Sequence, residues 1–145
     1  MSDTPEILVV DDDEFMQELF IAALADKFSV ICASNGAQAL QMARARAPAA
    51  ILLDVDMPGL NGYDTCLRLK EDFDTAAIPV IFVSGQDRLE DRLKGYESGG
   101  EDYVVKPFDA AELQAKISSL MRVVAERASL KAMASYASST AMTAM

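Results

Sequence analysis

Ala50-Ile51-Leu52-Leu53-Asp54-Val55-Asp56-Met57-Pro58-Gly59 is the stretch on which the fold turns. A short apolar run ends in an acid, and Pro58-Gly59 then marks a turn. Three other runs end in the same manner. Ile7 to Val10 ends in Asp11-Asp12-Asp13, Val80 to Val83 ends in Ser84, and Tyr103-Val104-Val105 ends in Lys106-Pro107. Runs this short and this continuously apolar suit parallel strands covered on both faces. If they belong to one sheet, an acid pair, a lone acid, a hydroxyl and a lysine converge on one crevice at the strand tips.

Working outward, five strand-like segments alternate with five helical patterns. The strands are expected at Ile7–Val10, Phe28–Ala33, Ala50–Leu53, Pro79–Val83 and Tyr103–Val105. Phe15, Leu19, Phe20, Ala23 and Leu24 share one face of the first helix at a 3-4 spacing. Asn35 with Gln38 opens the second, which Leu40, Ala43 and Ala47 continue until Pro48 stops it. Cys66, Leu69 and Phe73 make the third face; Leu89, Leu93 and Tyr96 the fourth, closed by Gly99-Gly100; Leu113, Ile117, Leu120 and Val124 the fifth. Five βα units with right-handed crossovers predict an α/β doubly wound sheet of flavodoxin-like order 2-1-3-4-5. Its switch point falls between the first and third strands, where Asp11, Asp12 and Asp54 sit.

The chain has 145 residues, 51% of them hydrophobic, which suits one domain with a short addition. We divide it into a domain over 1–124 and a C-terminal helical extension or connector tail over 125–145. The tail is rich in Ala, Ser, Met and Thr. Leu130, Met133, Ala137, Thr140 and Ala144 keep a 3-4 spacing there, but most are small, so the seam is weak and composition fits disorder equally well. The formal net charge is −10, with 20 acids and 9 bases before residue 109. That balance argues against direct nucleic-acid binding and against anionic membranes. The absence of histidine excludes His-ligated metals and His acid–base catalysis by this chain. Cys32 and Cys66 read as buried, reduced thiols. With no signal peptide and no apolar stretch of membrane-spanning length, a cytoplasmic location is expected.

Several carboxylates in one crevice repel one another unless a cation joins them. Mg²⁺ takes oxygen ligands, commonly one or two carboxylates with water and phosphate oxygens. Asp12 and Asp54 can supply the carboxylates, with Asp11 binding directly or through water. A carboxylate can also attack phosphorus and form an acyl phosphate. Lys106 then serves as the compensating cation and Ser84 as a hydroxyl donor. Asp13 and Glu14 are better read as helix N-terminal residues that favour the dipole.

The ordered set resembles the receiver domain of two-component response regulators over about residues 5 to 124. The resemblance is carried by Ile7-Leu8-Val9-Val10-Asp11-Asp12, by Leu52-Leu53-Asp54-Val55-Asp56-Met57-Pro58-Gly59, by Gly62 and by Val83-Ser84-Gly85. Gly99-Gly100-Glu101-Asp102-Tyr103-Val104-Val105-Lys106-Pro107-Phe108 completes it. It implies that Asp54 accepts a phosphoryl group from a sensor histidine kinase or a His phosphotransfer protein. It also implies that Asp11, Asp12 and Asp54 bind Mg²⁺ with the Asp56 backbone carbonyl, and that Ser84 and Lys106 contact the phosphoryl group. Tyr103 matches the aromatic that reorients with the hydroxyl residue, and the bond before Pro107 is expected to be cis. Gly85 stands where the family more often has Ala. Asp56 and Gln86 occupy positions that tune dephosphorylation.

Other readings stay open on sequence. Asp54-Val55-Asp56 matches the start of the Asp-x-Asp motif of haloacid-dehalogenase-like phosphatases, but on the third strand rather than the first. A phosphorylation-independent docking module would keep the same fold. A flavodoxin is disfavoured, because Asp11 to Glu14 would repel an FMN phosphate. The resemblance further implies a homodimer through helix 4, strand 5 and helix 5, where Lys94, Asp102, Glu112, Lys116 and Arg122 lie; a solvated charged face explains the same residues.

Overall fold

The strands alternate their side chains between two apolar layers, and that alternation builds the molecule. Residues 4–144 are described in the computed structural model, their side chains as far as residue 137. The strands are β1 (Glu6–Val10), β2 (Ser29–Ala33), β3 (Ala50–Asp54), β4 (Val80–Ser84) and β5 (Asp102–Val105). All neighbours pair in parallel, in the order β2-β1-β3-β4-β5. The helices are α1 (Glu14–Leu24), α2 (Gly36–Arg46), α3 (Gly62–Glu71), α4 (Leu89–Glu97) and α5 (Ala110–Ala144). This is the flavodoxin-like α/β arrangement that the sequence predicts.

Ile7, Val9, Leu52, Ile81 and Val83 point to one face of the sheet, where Phe20 and Leu24 of α1 and Leu113 and Ile117 of α5 cover them. Leu8, Val10, Ile51, Leu53 and Phe82 point to the other, under Ala39 and Ala43 of α2 and Cys66 and Leu69 of α3. Period-two alternation within fully buried strands explains why these runs show no polar residues.

Helix starts follow local chemistry. The Asp13, Asn35 and Asn61 side chains accept hydrogen bonds from the Phe15, Gln38 and Asp64 backbone N–H groups, capping α1, α2 and α3. The helix α2 ends at Ala47 in a left-handed conformation just before Pro48.

Three expected helix faces are corrected. On α1 the buried face is Phe20 and Leu24, with Met16 and Ala23 packed beside them, while Phe15 and Leu19 are exposed. Phe20 stacks on Phe108 with ring centroids 4.7 Å apart, which sets the rotation of the helix. Phe73 lies beyond the end of α3 and is 96% exposed. The Asp72 side chain pairs with Arg44 and accepts from the Asp74 N–H, and the Thr75 hydroxyl donates to the Leu69 carbonyl, so the chain leaves the helix before Phe73. On α4, Leu89, Leu93 and Tyr96 are exposed and Gly95 faces the sheet. A Cβ on Gly95 would stand 3.0 Å from the Phe82 ring, so the helix docks by close approach rather than by an apolar stripe. Cys32, on edge strand β2, is only half-buried, whereas Cys66 is fully buried, and both are free thiols. Burial pushes the Cys66 thiol up to about 11.

Helix α5 continues without a break from the domain to Ala144, and residues 125–137 are exposed throughout. The Thr140 and Ala144 side chains of the expected seam lie outside the described residues, as does Met145. Among the described residues, no helix is long and apolar enough to cross a membrane.

Candidate functional site

Strand register brings the tips together. Val10 pairs with Leu53, so Asp11 and Asp54 follow side by side. Asp54 pairs with Val83, and Ser84 with Val105, so Ser84 and then Lys106 continue the row. The Lys106 N–H donates to the Ser84 carbonyl at 2.7 Å, and the Lys106–Pro107 bond is cis, as the resemblance implies. Gly62 lets α3 start hard against this edge. A Cβ there would sit 2.4 Å from the Asp54 carbonyl oxygen.

Asp11 is 1% exposed and Asp54 5% exposed, while Asp12 lies at the open side of the cleft. Their carboxylate oxygens come within 4.8 Å of one another, one from each residue. Lys106 Nζ stands 3.3 Å from Asp11 Oδ2 and 3.3 Å from Asp54 Oδ1. The Asp13 N–H donates to Asp11 Oδ1 at 2.9 Å, and the Asp56 N–H to Asp54 Oδ1 at 3.3 Å. Burial, and then the Asp11 charge, pushes the Asp54 carboxyl up to about 6; Lys106 and the Asp56 N–H pull it down without cancelling this. Burial acts to lower the Lys106 ammonium, but Asp54 and Asp11 outweigh it and hold it above its ordinary value.

Ser84 is fully buried, and its Oγ accepts from the Gln86 N–H at 3.1 Å. The Gln86 carbonyl in turn accepts from the Tyr103 hydroxyl at 3.0 Å. Tyr103 is 2% exposed, with Phe82 on one side (6.4 Å between centroids) and the Arg92 guanidinium 5.4 Å from its ring centre. The structure therefore holds Tyr103 in its inward arrangement. A cleft of about 630 Å³ opens beside this chain of contacts, lined by Asp56, Met57, Asn61, Tyr63, Ser84 and Gln86 among others.

The structure thus brings Asp11, Asp12, Asp54 and Lys106 together at the strand tips, while Ser84 and Asp56 line the cleft described above and Tyr103 is buried behind Gln86. Sequence reasoning passed over Gln17 of α1, whose side chain reaches back to the Asp11 carbonyl at 2.7 Å. A lone glutamine one turn into a helix has no motif to mark it.

Residues 7–118 match the model of the response regulator receiver domain, and the chain belongs to that family. This sets aside the phosphatase and flavodoxin readings. Response regulator PleD of Caulobacter vibrioides is 44% identical over 117 residues, which cover 80% of this chain and 26% of PleD. The chain spans about a quarter to a half of the length of such curated relatives. The receiver domain of the Francisella response regulator 1452 superposes with a TM-score of 0.76 at 28% identity, covering 82% of this chain and 98% of that one. The receiver domain of sensor histidine kinase PA1611 from Pseudomonas aeruginosa does so with 0.76 at 29% identity, covering 81% and 98%, and was solved with a magnesium ion in its active-site cleft.

Proposed function

We propose that this chain is a phosphorylation-dependent signalling switch whose phosphoacceptor is Asp54, supplied by a sensor histidine kinase or a His phosphotransfer protein. The observation that carries this is Lys106 Nζ held 3.3 Å from both Asp11 and Asp54 at the mouth of a parallel sheet. A buried carboxylate with a fixed cation beside it is a poised nucleophile for phosphorus. An Asp54 oxygen bonds to the phosphorus of the donor's phosphohistidine as the P–N bond breaks, leaving an acyl phosphate on this chain. Charge on the transferred oxygens meets the Lys106 ammonium and the Ser84 hydroxyl. Water later cleaves the acyl phosphate, which returns the carboxylate and inorganic phosphate. Asp56 and Gln86 line the same cleft and are placed to set that rate. Turnover is confined to this self-phosphorylation and autodephosphorylation.

The donor set fits Mg²⁺. Three carboxylates of which two are buried, with their oxygens within 4.8 Å, are hard ligands that only a small cation or a lysine relieves. Asp11, Asp12 and Asp54 would hold it, with the Asp56 carbonyl as a further ligand. Bound Mg²⁺ would neutralise part of the carboxylate charge and hold a phosphoryl oxygen.

Readout runs through the Ser84–Gln86–Tyr103 contacts. A phosphoryl group adds acceptor oxygens that draw the Ser84 hydroxyl, and with it the backbone on which Tyr103 hangs. Tyr103 is already inward here, so the phosphoryl group would strengthen a packing that is present before it arrives rather than create it. The exposed face of α4 (Leu89, Leu93, Tyr96) borders the helix 4, strand 5 and helix 5 surface proposed for a homodimer, where Glu112 and Arg122 are exposed; Lys94, expected there too, instead lies over the Tyr63 ring of α3, 5.0 Å from its centre. On that surface Lys116 already pairs with Asp102 of its own chain at 3.2 Å. We assign residues 1–124 to the receiver domain and 125–145 to an extension that leaves it.

The test is incubation with a small phosphodonor and Mg²⁺, read by intact mass. One phosphoryl group is expected on the wild type and none on Asp54→Asn. Undiminished labelling of that variant overturns the assignment.

A further inference from the structure

The three carboxylates are not held equally. Asp11 is fixed by the Asp13 N–H and Lys106, and Asp54 by the Asp56 N–H and Lys106. Asp12 is exposed, and among the described residues its carboxylate has no hydrogen-bond or ion-pair partner. Its placement therefore depends on the backbone that carries it.

One side chain grips that backbone. Gln17 Nε2 donates to the Asp11 carbonyl at 2.7 Å, and it also reaches the Ser34 hydroxyl at 3.3 Å and the Ala33 carbonyl at 3.5 Å. The Asp11 carbonyl belongs to the peptide that joins Asp11 to Asp12. Fixing its direction fixes the plane that carries the Asp12 Cα, because the peptide is planar, and leaves only the Asp12 torsions to place its carboxylate. The far end of the clamp is firm. The Ser34 N–H donates to Gln38 Oε1 at 2.6 Å, and the Gln38 N–H to Asn35 Oδ1 at 2.8 Å, at the capped start of α2. Asp11 is tied to the same strand end by its own N–H, which donates to the Ala33 carbonyl at 3.0 Å.

The geometry points to Gln17 as a positioning residue for the divalent cation: it locks the Asp11–Asp12 peptide so that the Asp12 carboxylate is preset beside Asp11 and Asp54, and it thereby sets Mg²⁺ affinity. This rests on reading the acidic cleft as a Mg²⁺ site. Without the clamp, the cation must itself order the β1–α1 loop as it binds, and affinity falls by that ordering cost. Groups that orient metal ligands are worth about 10- to 100-fold in affinity. Gln17 acts on a ligand's backbone rather than on the ligand, so about tenfold is expected, the low end of that range.

A merely structural hydrogen bond would lower stability without changing affinity in the folded state. The experiment is calorimetric titration with Mg²⁺ alone, well below the melting temperature, on the wild type, Gln17→Met and Gln17→Glu. Met keeps the length and removes the donor. Glu keeps the shape, turns an acceptor toward the Asp11 carbonyl and adds negative charge, which on charge alone would tighten Mg²⁺ binding. Weaker binding in both variants is expected, by about tenfold in Gln17→Met. Unchanged affinity in Gln17→Met, or tighter binding in Gln17→Glu, overturns the positioning role. A wild type that binds no Mg²⁺ overturns the metal reading itself, so the two failures are distinct.

Discussion

Asp54→Asn should stabilise the metal-free protein at neutral pH. The structure buries Asp54 almost completely and sets it beside Asp11, and these two causes carry its carboxyl from 3.8 to about 6. A folded value above the unfolded one means that the contribution to stability is complete below about pH 4 and is lost as pH rises through about 6. At about 1.4 kcal/mol per pH unit, ionised Asp54 costs the fold about 3 kcal/mol near pH 7.5. That sum already includes the pull of Lys106, which keeps Asp11 as a partner when Asp54 is replaced. Asparagine has nearly the same shape and no such titration. In the presence of a chelator near pH 7.5 the variant should gain about 1 to 3 kcal/mol, or roughly 3 to 9 °C in melting temperature for a domain of this size. Near pH 4 most of the gain should vanish, because wild-type Asp54 is then protonated in the folded state. Thermal unfolding of both proteins across that range is the assay. A variant less stable than wild type near pH 7.5, or a gain that is the same at both pH values, would refute the claim that the cleft stores unfavourable charge.

The same stored repulsion predicts that Mg²⁺ raises the wild-type melting temperature, by about 2.7 kcal/mol of stabilisation at a hundredfold excess over its Kd; Asp12→Asn should show a smaller gain, and chelation without effect on the wild type would count against the site. Gly62→Ala should destabilise by more than about 2 kcal/mol in denaturant titration, since the new Cβ would meet the Asp54 carbonyl at 2.4 Å and force α3 away from β3. A phosphoryl mimic with Mg²⁺ should move the chain toward a dimer in sedimentation, and Arg122→Glu should weaken that shift; single exposed pairs are worth about 0 to 1 kcal/mol, so the loss should be partial. A chain that stays monomeric with the mimic removes the dimer and leaves the phosphoacceptor untouched.

The strands were legible because burial on both faces leaves each a run of apolar residues with one polar residue at its tip. Ile51-Leu52-Leu53-Asp54 and Val80 to Ser84 carry that signal without help from any other part of the chain. Order and identity at the tips named Asp11, Asp12, Asp54, Ser84 and Lys106, and the strand order followed from the βα alternation. Helix faces were less legible. Phe15, Leu19, Leu89, Leu93 and Tyr96 have helical spacing, yet they stand in solvent. Spacing reports that a helix has an apolar stripe, but not which stripe the sheet receives. That was decided by contacts between distant segments: Phe20 on Phe108, and Gly95 against Phe82. Tertiary structure alone also set the charge state of the cleft. Burial beside Asp11 raises Asp54, and Lys106 reaches both from 95 and 52 residues away in sequence. It alone let Gln17 join Asp11 to Ala33 and Ser34, since those two contacts exist only because β1 and β2 end side by side. The sequence by itself determined which groups stand at the strand tips, since that depends on local pattern; distance and dielectric, which decide what those groups can do, belong to the packed fold.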